Sequence, residues 1–262
     1  MEQNRVGAVI LAGGRAGEEM AAAAGTEHRA LAPVLGRPIV QYVLDAVRAS
    51  QTVCRAVTVT EPPVAAALGL AEGEWIPAGD GIVDNMILGV RALGDDIGHA
   101  LICTADIPLV TAPMIDRFTG ACLDLGVPVC YAIVARDAYV GQLADVRKTW
   151  VRMREGQFAG GNLSLISRQF VTENEALLRN AVELRKKPVA LAAKLGFGVL
   201  LGVFLSRWLP VRVSIRTAEA RASRVLGCQI RAVAVADAEI GVDVDKPGDL
   251  GFVERVLRGG AG

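Results

Sequence analysis

Four short segments of the chain combine glycine with arginine, asparagine or aspartate, and each follows a stretch typical of a β-strand: residues 13–15, 79–85, 105–108 and 242–247. Glycine lets a ligand approach the backbone, and free N–H groups with nearby cations bind phosphate. Paired carboxylates bind a hard cation such as Mg²⁺. Because ligands of open α/β sheets bind at the carboxyl ends of strands, we expect the four segments to lie together.

The first segment follows the apolar run at residues 6–11 and contains Gly13 and Gly14, with Arg15 and Arg29 close by in the chain. It has neither the G-x-G-x-x-G of a dinucleotide-binding loop nor the Gly-Lys-Ser/Thr of a Walker A loop. We interpret it as a cradle for a polyphosphate. The alternative is an ordinary turn between a strand and a helix.

Three aspartates are candidate metal ligands. Asp106 follows the apolar run at residues 100–104, and the alternative role for its side chain is a turn cap before Ile107 and Pro108. Asp243 and Asp245 follow a later strand, and one of them is expected to begin the last helix instead of binding a metal. The spacing does not choose between these two.

Two further groups are candidates for binding an acceptor substrate. Gly160, Gly161 and Asn162 place an amide beside an approachable backbone, unless they form a β-bulge. A basic group would attract a phosphorylated acceptor or form a solvated surface: Arg147, Lys148, Arg152 and Arg154.

Strand-like and helix-like stretches alternate along the chain, which predicts a layered α/β fold with a largely parallel sheet. No stretch is typical of a linker, so we expect a single domain over residues 1–262. The predicted helices are 18–24, 39–49, 82–93, 111–125, 173–185 and 218–226, and the predicted strands include 6–11, 53–60, 100–104, 127–135, 211–215 and 230–235.

The composition of the 262 residues excludes several classes of protein. Apolar residues make up 52% and charged residues 21%, as in a globular core, and Lys+Arg and Asp+Glu are both 28, so no nucleic-acid partner is expected. Five cysteines without a C-x-x-C pair indicate reduced thiols, and two histidines exclude a His-rich metal site. The short apolar run near the N-terminus is not a signal peptide, and we expect a cytoplasmic protein.

The segment at residues 188–210 is strongly apolar, but its longest uncharged run, 195–206, is shorter than a spanning helix. Packing in the core or in a homodimer interface is one interpretation. Weak peripheral contact with a membrane is the other.

The residues quoted above resemble the opening signature of nucleotidyltransferases with the glycosyltransferase-A type fold, in the group of the molybdenum-cofactor nucleotidyltransferases and small cytidylyltransferases. The resemblance covers residues 11–14, 30–38, 79–89, 101–108 and the DVDKPGDL of 243–250. It implies a three-layer α/β/α sandwich with a mostly parallel mixed sheet, as in nucleotide-diphospho-sugar transferases. Residues 140–229 match loosely and are expected to serve the acceptor or dimerisation.

The family implies that an acceptor phosphate attacks the α-phosphorus of an NTP and that pyrophosphate leaves, with Mg²⁺ as cofactor. Carried onto this chain, Arg15 and Arg29 are the catalytic residues, and Asp106 with Asp243 or Asp245 binds the metal. The implied nucleotide-binding residues are Leu11, Ala12, Gly13, Gly14, Gly79, Asp80, Asn85 and Ala105, and the acceptor-binding residues are Gly160, Gly161 and Asn162.

The chain differs from the family's pattern at two places. Glu18 and Glu19 stand where the family has an arginine, and Arg29 stands where it has a lysine. A non-catalytic nucleotide-binding homologue is therefore one alternative. A glycosyltransferase that uses a nucleotide-sugar on the same fold is another.

Overall fold

The computed structural model of the protein describes residues 5–179 and 213–259. Its centre is an eight-stranded sheet formed by β1 (Val6–Leu11), β4 (Val53–Thr60), β5 (Trp75–Pro77), β6 (His99–Thr104), β7 (Val129–Ala135), β8 (Val151–Met153), β9 (Gly156–Ser167) and β10 (Ile230–Val235), and β2 (Pro33–Val34) pairs separately with β3 (Arg37–Pro38). The strand order is β10-β7-β9-β6-β1-β4-β5, with β8 paired to β9. Strand β9 runs antiparallel to β6, β7 and β8, and the other pairs in this sheet are parallel.

Helices cover both faces of the sheet. In the described part of the chain they are α1 (Glu18–Ala24), α2 (Ile39–Ala49), α3 (Pro62–Leu68), α4 (Ile82–Ala92), α5 (Ala112–Leu125), α6 (Arg168–Glu173), α7 (Ile215–Leu226) and α8 (Pro247–Gly259), and residues 175–179 are also helical. Short 3₁₀ helices form at Arg29–Leu31, Arg136–Ala138, Gly141–Leu143 and Ala238–Gly241.

The alternation of side chains along β1 explains the two faces. Ala8 and Ile10 pack in one cluster with residues of α2 and α5, whereas Val9 packs in a second cluster with residues of α4 and α6. Successive side chains of a strand point to opposite faces, so one fully buried strand supplies both cores. The predicted three-layer α/β/α fold with a mostly parallel mixed sheet is confirmed.

Two local predictions were wrong. No strand covers Val213–Ile215. Ser214 is the N-cap of α7, and its hydroxyl accepts a hydrogen bond from the backbone N–H of Thr217. The helix predicted over 173–185 does not begin at Glu173. Glu173 is the last residue of α6, Asn174 is not helical, and a separate helical stretch covers residues 175–179.

The apolar segment at residues 188–210, with its proposed interface or membrane role, lies outside the described residues. Within 5–179 and 213–259, no helix is long and apolar enough to span a membrane.

Candidate functional site

A cleft of about 240 Å³ opens at the carboxyl edge of the sheet, where the neighbouring strands β1 and β6 both end. Many of the nucleotide-binding residues predicted from the sequence line it. The lining consists of Leu11, Ala12, Gly13, Gly14, Arg29, Ala30, Ile82, Asn85, Thr104, Ala105 and Asp106. The cleft therefore joins the end of β1, the start of α4 and the end of β6.

The turn after β1 is held by contacts that only glycine permits at position 13. A methyl group on Gly13 would lie 2.6 Å from Cβ of Ala78 and 3.3 Å from Nδ2 of Asn85. The backbone N–H of Ala12 donates to the carbonyl of Val59 at 2.9 Å, which fixes the turn against β4. The main chain at Gly13 and Gly14, which carries no side chains, therefore forms part of the cleft wall.

Asn85 is buried in the first turns of α4, and its amide group has a fixed orientation. The backbone N–H of Gly79 donates a hydrogen bond to Oδ1 of Asn85 at a distance of 2.6 Å. Since Oδ1 is occupied, the amide presents its N–H₂ donors towards Gly13 and the cleft. The side chain of Asn85 therefore links the first glycine loop, at Gly13, to the second, at Gly79.

Arg29 connects the glycine loop to two of the predicted metal ligands. Its backbone N–H donates to the carbonyl of Gly14 at 3.1 Å, and its Nη1 donates to Oδ2 of Asp106 at 3.2 Å and to Oδ1 of Asp245 at 2.5 Å. The guanidinium is one-third exposed and Asp106 is more deeply buried. A single cation thereby holds carboxylates from two different loops.

The segment after β10 lies beside Asp106 because of one backbone hydrogen bond. The N–H of Val244 donates to the carbonyl of Asp106 at 2.9 Å, and Val244 itself is fully buried. Asp243 and Asp245 flank it, which places both near Asp106.

The alternative role of a helix cap belongs to a different aspartate. Helix α8 begins at Pro247, and Oδ2 of Asp249 accepts the backbone N–H groups of Asp245 and Lys246. The capping acceptor is Asp249, so the carboxylates of Asp243 and Asp245 remain directed to the other charged groups of the site.

Burial sets the protonation behaviour of this carboxylate cluster. Burial raises the pKa of Asp106 and the negative charge of Asp243 raises it further, whereas the Thr104 side chain and the charge of Arg29 act to lower it. Burial and the hydrogen bond with Asp243 raise the pKa of Asp245. Burial also acts to raise the pKa of Asp243, but the hydrogen bond and charge of Lys148 outweigh it and hold that pKa below its usual range.

Lys148 was predicted only as one of four basic residues that would attract a phosphorylated acceptor or form a solvated surface. Its ammonium pairs with Oδ1 of Asp243, and its side chain is only 13% exposed, so the interpretation as a solvated surface does not hold for this residue. The polar composition around it gave no signal of this position. The useful signal is the spacing of Leu143, Val146 and Trp150, which pack in the core and anchor the segment.

Several predicted residues lie away from the cleft lining. Arg15 is 70% exposed and pairs with Glu27, and Asp80 is exposed. Gly79 contributes its amide to Asn85, as described above, without lining the cleft.

The proposed acceptor residues lie within strand β9. Gly161 abuts Ala132 so closely that a methyl group would be 2.7 Å from its Cβ, and the β7–β9 register shifts between Tyr131 and Ile133. Nδ2 of Asn162 donates to the carbonyl of Ile240 at 3.1 Å. These contacts have a structural function, and a role for Gly160, Gly161 and Asn162 in binding an acceptor remains a proposal.

The carboxylates do not form a ready-made three-ligand metal centre. Among residues 5–179 and 213–259, no group of three or more His, Cys, Asp or Glu side chains is placed to hold a metal ion alone. Oδ1 of Asp106 is nevertheless buried without a hydrogen-bond partner. Mg²⁺ usually takes one or two carboxylates together with phosphates and water, so the donor set fits such an ion.

The comparisons with known proteins agree with this geometry. A family model described as the MobA-like NTP transferase domain matches residues 8–197. A solved structure described as a hypothetical transferase from Thermus thermophilus is 34% identical, with a TM-score of 0.78, over 94% of this chain and 99% of that one. No curated protein sequence matches the chain significantly.

More distant solved structures share the fold. CMP:2-keto-3-deoxy-manno-octonic acid synthetase complexed with CTP is 13% identical with a TM-score of 0.62. A 4-diphosphocytidyl-2C-methyl-D-erythritol synthase from Anaerococcus prevotii is 10% identical with a TM-score of 0.60. Each alignment covers 98% of this chain and 99% of the other. The match over residues 8–197, together with the close structural relative, establishes that the chain belongs to the family with a MobA-like NTP transferase domain.

Proposed function

We propose that the protein is a nucleotidyltransferase that moves NMP from an NTP to a phosphorylated small-molecule acceptor. An oxygen of the acceptor phosphate attacks the α-phosphorus, the bond from that phosphorus to the bridging oxygen breaks, and pyrophosphate leaves. The observation that carries the proposal is the convergence of a glycine loop, the oriented amide of Asn85 and the free oxygen of Asp106 on one cleft.

The residues of the cleft have distinct proposed roles in binding the nucleotide. The backbone at Gly13 and Gly14 approaches the triphosphate, and Arg29 supplies positive charge beside it. Arg15, in the same loop, is exposed and pairs with Glu27, so it must release that carboxylate to reach the phosphates. Asn85 is proposed to hydrogen-bond the base or ribose through the N–H₂ that faces the cleft.

Asp106, with Asp243 or Asp245, would hold Mg²⁺, which neutralises phosphate charge when bound. These side chains must release their present cations, Arg29 and Lys148, before they serve as ligands. Released Arg29 would then lie next to the phosphates that it is proposed to bind. Positioning and charge neutralisation account for most of the catalysis in transfers of this kind.

The acceptor side of the site is proposed to include Gly160, Gly161 and Asn162. Tyr131 supports this placement: its hydroxyl lies against Gly160, and burial together with the negative charge of Asp243 raises the pKa of its phenol. Residues 140–229 are proposed to complete the acceptor site or to form a homodimer contact.

The direct test is pyrophosphate release with the four common NTPs and a panel of sugar and alcohol phosphates, in the presence of Mg²⁺. CTP belongs in the panel because the synthetase of similar fold was solved with it. We expect release with one NTP and one acceptor class. No release together with no NTP-induced thermal shift would overturn the proposal, and turnover of a nucleotide-sugar alone would favour a glycosyltransferase.

A further inference from the structure

The segment from Val140 to Trp150 places a lysine in the candidate site although most of its residues are polar. Leu143 is buried, and Val146 and Trp150 pack against the same cluster. The ring of Trp150 meets Tyr139 edge to face, with centroids 5.2 Å apart. These anchors turn Lys148 inwards while its neighbour Arg147 remains exposed.

The ammonium of Lys148 has more N–H donors than hydrogen-bond partners. It pairs with Oδ1 of Asp243, and within the described residues no second partner is found for it. A lysine ammonium carries three N–H donors. Two donors of a cation that is only 13% exposed therefore remain available beside Asp243.

The charges around this pair explain why the lysine is held there. Three carboxylates lie together, those of Asp106, Asp243 and Asp245, and two cations pair with them, Arg29 and Lys148. A divalent cation that took Asp243 would compete directly with Lys148. An ammonium released from that carboxylate could bind an anionic oxygen brought in with the cation.

We propose that Lys148 is a phosphate-binding residue of the transfer site that rests on Asp243 until a divalent cation takes that carboxylate. The inference rests on the proposed function, because it assumes that a metal and a phosphate meet at this cleft. It adds a specific residue from the segment that the family resemblance covered only loosely. It also predicts two effects of opposite sign from one substitution.

The first measurement is binding of Mn²⁺ alone to the full-length protein, followed by the EPR signal of free Mn²⁺. Lys148→Met removes the competing charge, so we expect Mn²⁺ to bind about tenfold tighter than to the wild type. Arg5→Met, which removes a half-exposed pair with Asp96 beside the opposite end of β1, should leave the affinity unchanged. Lys148→Gln provides a second variant should the methionine variant fail to fold.

The second measurement is binding of phosphate probes with Mn²⁺ at saturation, by calorimetry. We expect Lys148→Met and Lys148→Gln to weaken binding of tripolyphosphate or of inorganic phosphate by about tenfold. Weaker tripolyphosphate binding assigns Lys148 to the nucleotide, and weaker inorganic phosphate binding assigns it to the acceptor. Arg5→Met is again the control.

The combination of results decides between the possible roles of Lys148. Tighter Mn²⁺ with weaker phosphate supports the proposal. Tighter Mn²⁺ binding with unchanged phosphate binding overturns it, because Lys148 would then be only a counter-ion to Asp243. Unchanged Mn²⁺ binding also overturns it. Because both probes lack a base and an acceptor, these results stand apart from pyrophosphate release, which tests the proposed function itself.

Discussion

The backbone N–H of Gly79 and Oδ1 of Asn85 are joined by a hydrogen bond of 2.6 Å, and this bond fixes which end of the amide faces the cleft. Asn85→Asp keeps the acceptor for Gly79 but replaces the N–H₂ donors with an anionic oxygen. We expect Asn85→Asp to keep the hydrogen bond from Gly79 and to bind NTP at least about tenfold more weakly. Calorimetric titration with NTP checks this.

Asn85→Leu provides the matched comparison. It removes the acceptor as well as the donors, leaving the Gly79 amide without its partner, and should lower the free energy of unfolding by about 1–3 kcal/mol. An unchanged free energy of unfolding for Asn85→Leu would contradict the stabilising role of the Gly79–Asn85 bond.

Gly13→Ala tests the close approach of the loop to Ala78. The added methyl group would stand 2.6 Å from Cβ of Ala78, so the turn must shift, at a cost of about 1–3 kcal/mol in stability and with weaker NTP binding. Thermal unfolding with and without NTP measures both effects. Gly120→Ala in α5 is the control, since nothing lies within 4 Å of a methyl group there.

Helix α4 must lie close to β1 in order to place Asn85, and Gly89 permits this packing. A methyl group at Gly89 would overlap Cγ1 of Val9, so Gly89→Ala should destabilise the protein by about 1–3 kcal/mol. Chemical denaturation provides the measurement. Gly120→Ala in α5 meets nothing within 4 Å and should instead stabilise by about 0.5–1 kcal/mol, so destabilisation by both substitutions would refute the packing argument.

Arg29→Met removes the cation shared by Asp106 and Asp245. We expect pyrophosphate release to fall about 100-fold, because the positive charge beside the phosphates is lost. Arg29→Lys keeps the positive charge but lacks the planar guanidinium, so its rate of pyrophosphate release should lie between those of the wild type and Arg29→Met. Arg37→Met removes a half-exposed pair with Asp45 and should leave the rate unchanged.

Asp116 joins helix α5 to the start of β4 and makes stability depend on pH. It accepts from the hydroxyls of Ser50 and Thr52 at 2.5 and 2.8 Å. Burial acts to raise its pKa, but these hydrogen bonds outweigh it and hold the pKa below the ordinary 3.8. A depressed carboxyl pKa stabilises the fold above pH 3.8, and this contribution is lost as the pH falls through the lowered value.

Asp116→Ala should therefore cost about 1 kcal/mol at pH 6, and the difference from the wild type should shrink below pH 3.8. Denaturant unfolding across this pH range measures it. A difference that is constant with pH would show that the carboxylate charge is not the cause.

The sequence predicts the framework of the fold well because the central strands are apolar without interruption. The strand at residues 100–104 is buried on both faces, and that burial is visible in its composition. The strand predicted at 211–215 does not form at Val213–Ile215, because Ser214 caps α7 there, and alternating apolar residues around a serine also fit a helix cap.

The site was predictable only in part. Gly13 and Asp106 stand at strand ends, where local sequence marks them. The ion pairs that give the site its electrostatics join residues far apart in the chain: Arg29 with Asp245, 216 positions away, and Lys148 with Asp243, 95 positions away. No local pattern encodes such contacts, since the sheet order brings them together.

The most direct measurement of nucleotidyl transfer follows the α- and γ-phosphorus of the NTP separately. The protein would be incubated with Mg²⁺, a panel of phosphorylated acceptors and NTP labelled at one phosphorus or the other. The account predicts the α-label in a product joined to the acceptor and the γ-label in pyrophosphate. Transfer of the γ-label to the acceptor, or retention of both labels in all four NTPs, would contradict it.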